Sequence, residues 1–218
     1  MGYMSGQVHI LIIRRAGNAT AKSANAPHPR RLQYARCHLI SLRMKSKFLA
    51  ALFGLSIAGA VRAEPIAIGV HAPTEKATNQ EGRTVDLGEL YKKGLVLVYF
   101  YPKADTPGCT AQACSLRDEF EKLTNKGVTV VGVSADGVEA QKAFQEKYQL
   151  PFVLLADSDK KVITAFGVPV GTMGFASRQA FLVKDGVVVW RDLKASTKQQ
   201  AADVLAALDA LKTTSGGA

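Results

Sequence analysis

One run of ten residues, Tyr101-Pro102-Lys103-Ala104-Asp105-Thr106-Pro107-Gly108-Cys109-Thr110, holds the types and spacings that chemistry needs. Thr106 followed by Pro107 reads as a helix N-cap and first helical residue. Cys109 then falls at the third helical position, where the Thr106 hydroxyl can accept from the Cys109 N–H. A thiol placed there faces the positive end of the helix dipole, among backbone donors that have no intrahelical partner. Both influences favour the thiolate, which is the nucleophilic form of cysteine. The same donors suit the oxygens of a small, electron-rich substrate. A peroxide meets that description, and so do other electrophiles.

Cys114 lies five residues further on. In a continuous helix the two Cα atoms stand roughly 8–9 Å apart. A disulfide needs about 4.4–6.8 Å, so closing this pair means unwinding the first turns. A reversible bond of that kind suits a redox cycle. A permanent disulfide, or two unpaired buried thiols, are the structural alternatives in an oxidising compartment. The remaining cysteine, Cys37, and three of the four histidines, His9, His28 and His38, precede residue 64. Beyond that point His71 stands alone, in a polar stretch where it reads as a surface residue. A zinc or copper site needs more soft ligands than this, so no metal or cofactor is expected.

The surrounding elements must hold this run in place. Leu95 to Tyr101 (LVLVYFY) is a continuous apolar run bounded by Gly94 and Pro102, the pattern of a fully buried strand. A helix is predicted over 109–126, with Leu116, Phe120 and Leu123 inward. A second buried strand spans Val128 to Ser134, and a helix over 138–148 turns Phe144 and Tyr148 inward. Phe152 to Ala156 is a third strand and 159–166 a short helix. Ala180 to Val183 and Val187 to Trp190 flank Lys184-Asp185-Gly186, a hairpin signal. A last helix over about 198–212 buries Ala201, Val204, Leu205, Leu208 and Leu211, and Thr213 to Ala218 should fray. This alternation predicts an α/β fold with a central mixed sheet flanked by helices on both faces. The catalytic run leaves the carboxyl end of a buried strand, where open α/β sheets bind their ligands.

Charge separates the chain into two parts. Residues 1–63 carry 10 Lys/Arg and no acid, whereas residues 64–218 carry 18 of each sign. The net charge of +10 therefore belongs to the leader. Nucleic-acid binding is set aside, because it needs a basic patch on the folded domain. From Met44 the text reads MKSKFLAALFGLSIAGAVRA, with Lys45 and Lys47 before an apolar stretch from Phe48 to Val61 and small residues before a cut at Ala63. That is the layout of a secretory signal peptide, and the stretch is short for a bilayer span. The expected organisation is an over-extended start or disordered leader over 1–43, a signal peptide over 44–63, and a single domain over 64–218. It implies export, to a bacterial periplasm, without stable membrane association after cleavage. An organelle transit peptide is the alternative.

Pro102-x3-Thr106-x2-Cys109 matches the Pro-Thr-Cys signature of peroxiredoxins. The wider string FYPKADTPGCTAQACSLRDEF resembles the bacterioferritin comigratory protein, or peroxiredoxin Q, subgroup, over about residues 66–212. The resemblance implies a thioredoxin-like fold and the reduction of hydrogen peroxide and organic hydroperoxides. It implies Cys109 as the peroxidatic cysteine, oxidised to sulfenic acid, and Cys114 as the resolving cysteine that closes a Cys109–Cys114 disulfide. Thr106 would orient the peroxide and Pro102 would shield the sulfenic acid. Arg178, in SRQAFLVKDG, would favour the thiolate and a peroxide oxygen. A thioredoxin-like or other dithiol protein would return the electrons, and the chain would be a monomer or weak dimer. Each residue also has a plain reading: Pro102 as a strand stop, Thr106 as a cap, Arg178 as a surface arginine. Arg117 lies eight residues beyond Cys109, about 12 Å along a helix, and is read as structural.

Ala180 and His71 depart from the family pattern without touching the cysteines. The rival enzyme is an exported thioredoxin-like thiol–disulfide oxidoreductase, which normally carries Cys-x-x-Cys rather than the Cys-x4-Cys found here. A copper carrier of the same fold would need Cys-x3-Cys and a nearby histidine.

Overall fold

The structure is a computed structural model that describes residues 64–215. The proposed segments 1–43 and 44–63, with Cys37, lie outside the described residues, as do residues 216–218. Along the chain come β1 (Lys76–Asn79), β2 (Thr84–Asp86), α1 (Leu87–Tyr91), β3 (Leu95–Phe100), α2 (Pro107–Asp118) and α3 (Phe120–Asn125). They are followed by β4 (Val128–Ser134), α4 (Val138–Tyr148), β5 (Val153–Ala156), α5 (Lys161–Ala165), β6 (Gln179–Lys184), β7 (Val187–Asp192) and α6 (Gln200–Ser215).

The strands make one seven-stranded sheet in the order β2-β1-β5-β4-β3-β6-β7. β3 pairs parallel with β4, and β4 parallel with β5, while β6 runs antiparallel beside β3. β3 is apolar at every position because alternate side chains enter two separate cores. Leu97 and Tyr99 point to one face, with α2, α3, α4 and α6. Val96, Val98 and Phe100 point to the other, with α1 and α5. The predicted hairpin joins β6 to β7 through Asp185 and Gly186, with φ of 50° and 80°. Two successive positive φ values give a turn whose twist matches that of its strands.

Two expectations need correction, and two features were missed. The helix predicted over 109–126 is two helices broken at Glu119, whose φ of −105° and ψ of 13° leave the helical basin. The apolar spacing of Leu116, Phe120 and Leu123 runs across that break and so does not reveal it. α6 does not fray at Thr213 but continues to Ser215. The hairpin β1–β2 and helix α1 were not foreseen. Their strands of four and three residues are too short to show a period, yet the turn chemistry is present. The Asn79 Oδ1 accepts from the N–H groups of Glu81 and Arg83, and Asp86 caps α1 by accepting from the Glu89 N–H. Among the described residues no helix is long and apolar enough to cross a membrane.

Candidate active site

The chain stays in line with the sheet for one residue past β3, where the Tyr101 N–H donates to the Val133 carbonyl at 3.1 Å. It then turns, and two consecutive residues fix the turn. The Ala104 N–H donates to Asp136 Oδ2 at 2.7 Å. Asp105 takes a left-handed φ of 55°, and its carboxylate accepts from Lys147 Nζ at 2.7 Å and from the Tyr148 hydroxyl at 2.6 Å. The Lys147 ammonium, and after it the Tyr148 hydroxyl, hold the Asp105 carboxyl below the usual carboxylate range. Pro102 stands half-exposed where β3 ends; having no N–H, it cannot extend the ladder.

α2 starts as the sequence indicates, with Thr106 at the N-cap in extended conformation and Pro107 as its first residue. The capping bond differs from expectation. The Thr106 hydroxyl donates to the Lys103 carbonyl at 3.0 Å instead of accepting from the Cys109 N–H. The tight turn at Ala104 and Asp105 brings that carbonyl within reach. With no side-chain cap on α2, the N–H groups of its first turn are left for an outside acceptor.

Cys109 is buried, with 2% of its surface exposed. Arg178 Nη2 lies 3.4 Å from its sulfur and can donate to it. β6 brings the arginine there: Gln179 pairs with Phe100, so the residue before it reaches over the end of β3 where the catalytic run leaves. The sequence-predicted pair Cys109 and Arg178 is thus in direct contact, and Thr106 occupies the N-cap position of the same helix without a capping bond. Cys114 is half-buried two turns along α2, and both cysteines are free thiols. Because α2 runs unbroken through them, their separation follows helix geometry, roughly 8–9 Å between Cα atoms. Arg117 is structural, as read from the sequence. Its Nη1 donates to the Tyr148 carbonyl at 2.8 Å and its other nitrogens bind Asp118.

Two further residues shape the site, Gln112 and Gly108. Gln112 is fully buried, its Oε1 accepts from Arg178 Nη1, and its Nε2 donates to Gln200 Oε1 at 2.8 Å. Gly108 lets the guanidinium close in, since a Cβ there would lie 3.3 Å from Arg178 Nη2 and 3.5 Å from Thr197 Cγ2. The sequence did carry a signal for Gln112, which lies three residues after Cys109 and therefore on the same helix face. None existed for Gln200, which only the fold brings near.

His71 is exposed and bridges to Val187, at the hairpin end of β7 and away from the cysteines. It lines a cavity of about 810 Å³ with Tyr91 and Asp185. Among the described residues no group of three or more His, Cys, Asp or Glu is placed to hold a metal ion.

The assembled geometry is a buried cysteine at an uncapped helix start with a guanidinium on its sulfur. Such a site can hold a thiolate and receive an oxygen between the guanidinium and the backbone donors. Comparisons with known proteins identify the family. Residues 68–191 match the AhpC/TSA family model. A peroxiredoxin bcp of Coxiella burnetii is 41% identical over 138 residues, covering 59% of this chain and 91% of that protein. A chloroplastic peroxiredoxin Q of Sedum lineare is 46% identical over 122 residues, covering 55% of this chain and 65% of the relative. Among solved structures, the Xanthomonas campestris bacterioferritin comigratory protein, studied as a trapped intermediate/ligand complex for its alkyl peroxide reduction activity, superposes with a TM-score of 0.61 at 27% identity. That match covers 66% of this chain and 98% of the other. The chain belongs to the AhpC/TSA family and is a peroxiredoxin, a thiol peroxidase on a thioredoxin-like fold.

Proposed function

We propose that the chain reduces hydrogen peroxide and organic hydroperoxides through Cys109, with Cys114 resolving the product in an intramolecular disulfide. The observation that carries this reading is the 3.4 Å contact of Arg178 Nη2 with the Cys109 sulfur at the start of α2. The Cys109 thiolate attacks one peroxide oxygen, and an S–O bond forms as the O–O bond breaks. The leaving alkoxide or hydroxide takes a proton and departs as alcohol or water. Arg178 and the first-turn N–H groups stabilise the charge that moves onto that oxygen. The Thr106 hydroxyl, with the Lys103 carbonyl as its resting partner, turns to the bound peroxide. Pro102 covers the sulfenic acid from the loop side. Cys114 then attacks the Cys109 sulfur, the S–O bond breaks, and the oxygen leaves as water with the Cys114 proton. A dithiol protein reduces the disulfide by exchange and is itself oxidised.

The organic part of the substrate range is supported by the alkyl peroxide activity named for the Xanthomonas protein. The segment from Met44 to Ala63 supports export to a periplasm, with a thioredoxin-like donor in the same compartment; the chloroplastic relative supports an organelle leader instead. The protein acts as a monomer or weak dimer.

The test is a single turnover of the Cys114→Ser variant in the presence of a 1,3-diketone trap for sulfenic acid. The expected product carries one trap adduct on Cys109 per peroxide consumed. A variant that consumes peroxide without an adduct at Cys109 contradicts the assignment.

A further inference from the structure

We propose that the first turn of α6 is a latch on α2, and that release of Gln112 from Gln200 sets the rate at which the Cys109–Cys114 disulfide closes. The inference rests on the disulfide reading above.

α2 must lose its first turns before the two sulfurs can meet, so its local stability governs that step. Its own sequence holds those turns weakly. Gly108, Cys109, Thr110, Cys114 and Ser115 are all modest or poor helix formers. The first turn has no acidic residue and no side-chain cap. Tertiary contacts therefore keep α2 folded, and apart from the bond of Arg117, near its end, to the Tyr148 carbonyl, the polar ones converge on two places. One is Arg178, which holds the Cys109 sulfur and Gln112 Oε1. The other is the start of α6, where Gln200 Oε1 accepts from Gln112 Nε2 and Ser115 Oγ accepts from the Ala201 N–H at 3.3 Å. The second contact also serves α6, because Ala201 is in its first turn and would otherwise leave a donor without an intrahelical partner.

The latch is built to open. Gln200 Nε2 is buried without a partner, so the closed contact leaves one donor unsatisfied, and opening gives that donor water. Oxidation also loosens it. When the thiolate becomes a neutral sulfenic acid, the charge-assisted contact to Arg178 weakens, and Arg178 is the other partner of Gln112. The order is oxidation, release of Gln112, unwinding of α2, and closure.

The experiment measures two rates in single-turnover mixing of the reduced full chain with peroxide: the peroxide-dependent oxidation of Cys109 and the first-order closure of the disulfide. Gln200→Leu should leave oxidation at the wild-type rate and speed closure roughly fivefold, the loss of one neutral hydrogen bond. Gln112→Leu should also speed closure but slow oxidation, because Arg178 loses its anchor. Gln112→Glu should restore both, since a carboxylate accepts from Arg178 and from a turned Gln200 amide. A merely structural role would lower the melting temperature without moving the two rates in opposite directions. Wild-type closure rates in both leucine variants would overturn the latch. Should those variants fail to fold, amide exchange of the wild-type chain decides. The first-turn amides of α6 should lose protection on oxidation, and equal protection in both redox states would overturn the proposal. If the wild-type chain loses two thiols but forms no Cys109–Cys114 bond, the disulfide reading fails instead.

Discussion

The two faces of the sheet are built differently. The face covered by α1 and α5 is a close-packed apolar core in which Phe100, Phe166 and Phe181 meet with ring centroids 5.2–5.9 Å apart. Its buried tyrosine, Tyr91, donates its hydroxyl to the Pro73 carbonyl. The face covered by α2, α3, α4 and α6 also buries Cys109 and Gln112, and leaves the Tyr99 hydroxyl, the Thr110 hydroxyl and Gln200 Nε2 without partners. Buried polar groups are normally satisfied. These three unpartnered groups stand at or beside α2, on the face that carries Cys109. Burial pushes the Tyr99 hydroxyl well above its ordinary titration range, so it stays neutral beside the cysteine.

The largest expected effect breaks the reactive face without touching the fold. Cys109→Ser should abolish peroxide turnover while the melting temperature stays close to wild type. On the other face, Phe166→Ala should cost about 3–5 kcal/mol of stability, read from denaturant unfolding, with the turnover per folded molecule unchanged. Arg178→Lys keeps a positive charge but loses the planar fork that spans sulfur and Gln112. Peroxide oxidation should slow about 10- to 100-fold, the rate equivalent of one charged hydrogen bond. A matched pair of hydroxyl deletions sharpens the contrast further. Tyr91→Phe should cost about 1 kcal/mol, and Tyr99→Phe should be neutral or stabilising, because it removes a hydroxyl that has no partner. Equal losses from both would contradict the difference between the faces.

The smallest effect concerns the catalytic loop. The Asp105 carboxyl is lowered by Lys147 and Tyr148, so its contribution to stability is complete above its unfolded value, near pH 4. That contribution is lost as the pH falls through the lower folded value. Asp105→Asn should therefore lower the melting temperature slightly at pH 7 and flatten its fall on the acid side. A fall as steep as that of the wild type would show that Asp105 does not tie the loop.

Much of the architecture was legible because burial on both faces leaves unbroken apolar runs, as in β3 and β4, and because Asp185-Gly186 announces its own turn. The break at Glu119 was not, since hydrophobic spacing is continuous through it. The places of Thr106 and Cys109 at the start of α2 followed from spacing, whereas Pro102 and Arg178 were singled out by resemblance alone. The direction of the Thr106 bond was hidden because it depends on the turn at Asp105. The contact of Gln200 with Gln112 was hidden because 88 residues separate them and only folding makes them neighbours.

The most direct test of the peroxidase reading follows Trp190 fluorescence as reduced Cys37→Ser chain meets one equivalent of hydrogen peroxide in a stopped-flow mixer, with free thiols counted afterwards. Trp190 lies on β7 and packs against the core of the reactive face, so it reports on changes there. Fast, peroxide-dependent oxidation with loss of two thiols, Cys109 and Cys114, per peroxide is the expected result. Loss at the slow rate of an ordinary exposed thiol, or of one thiol only, would contradict it.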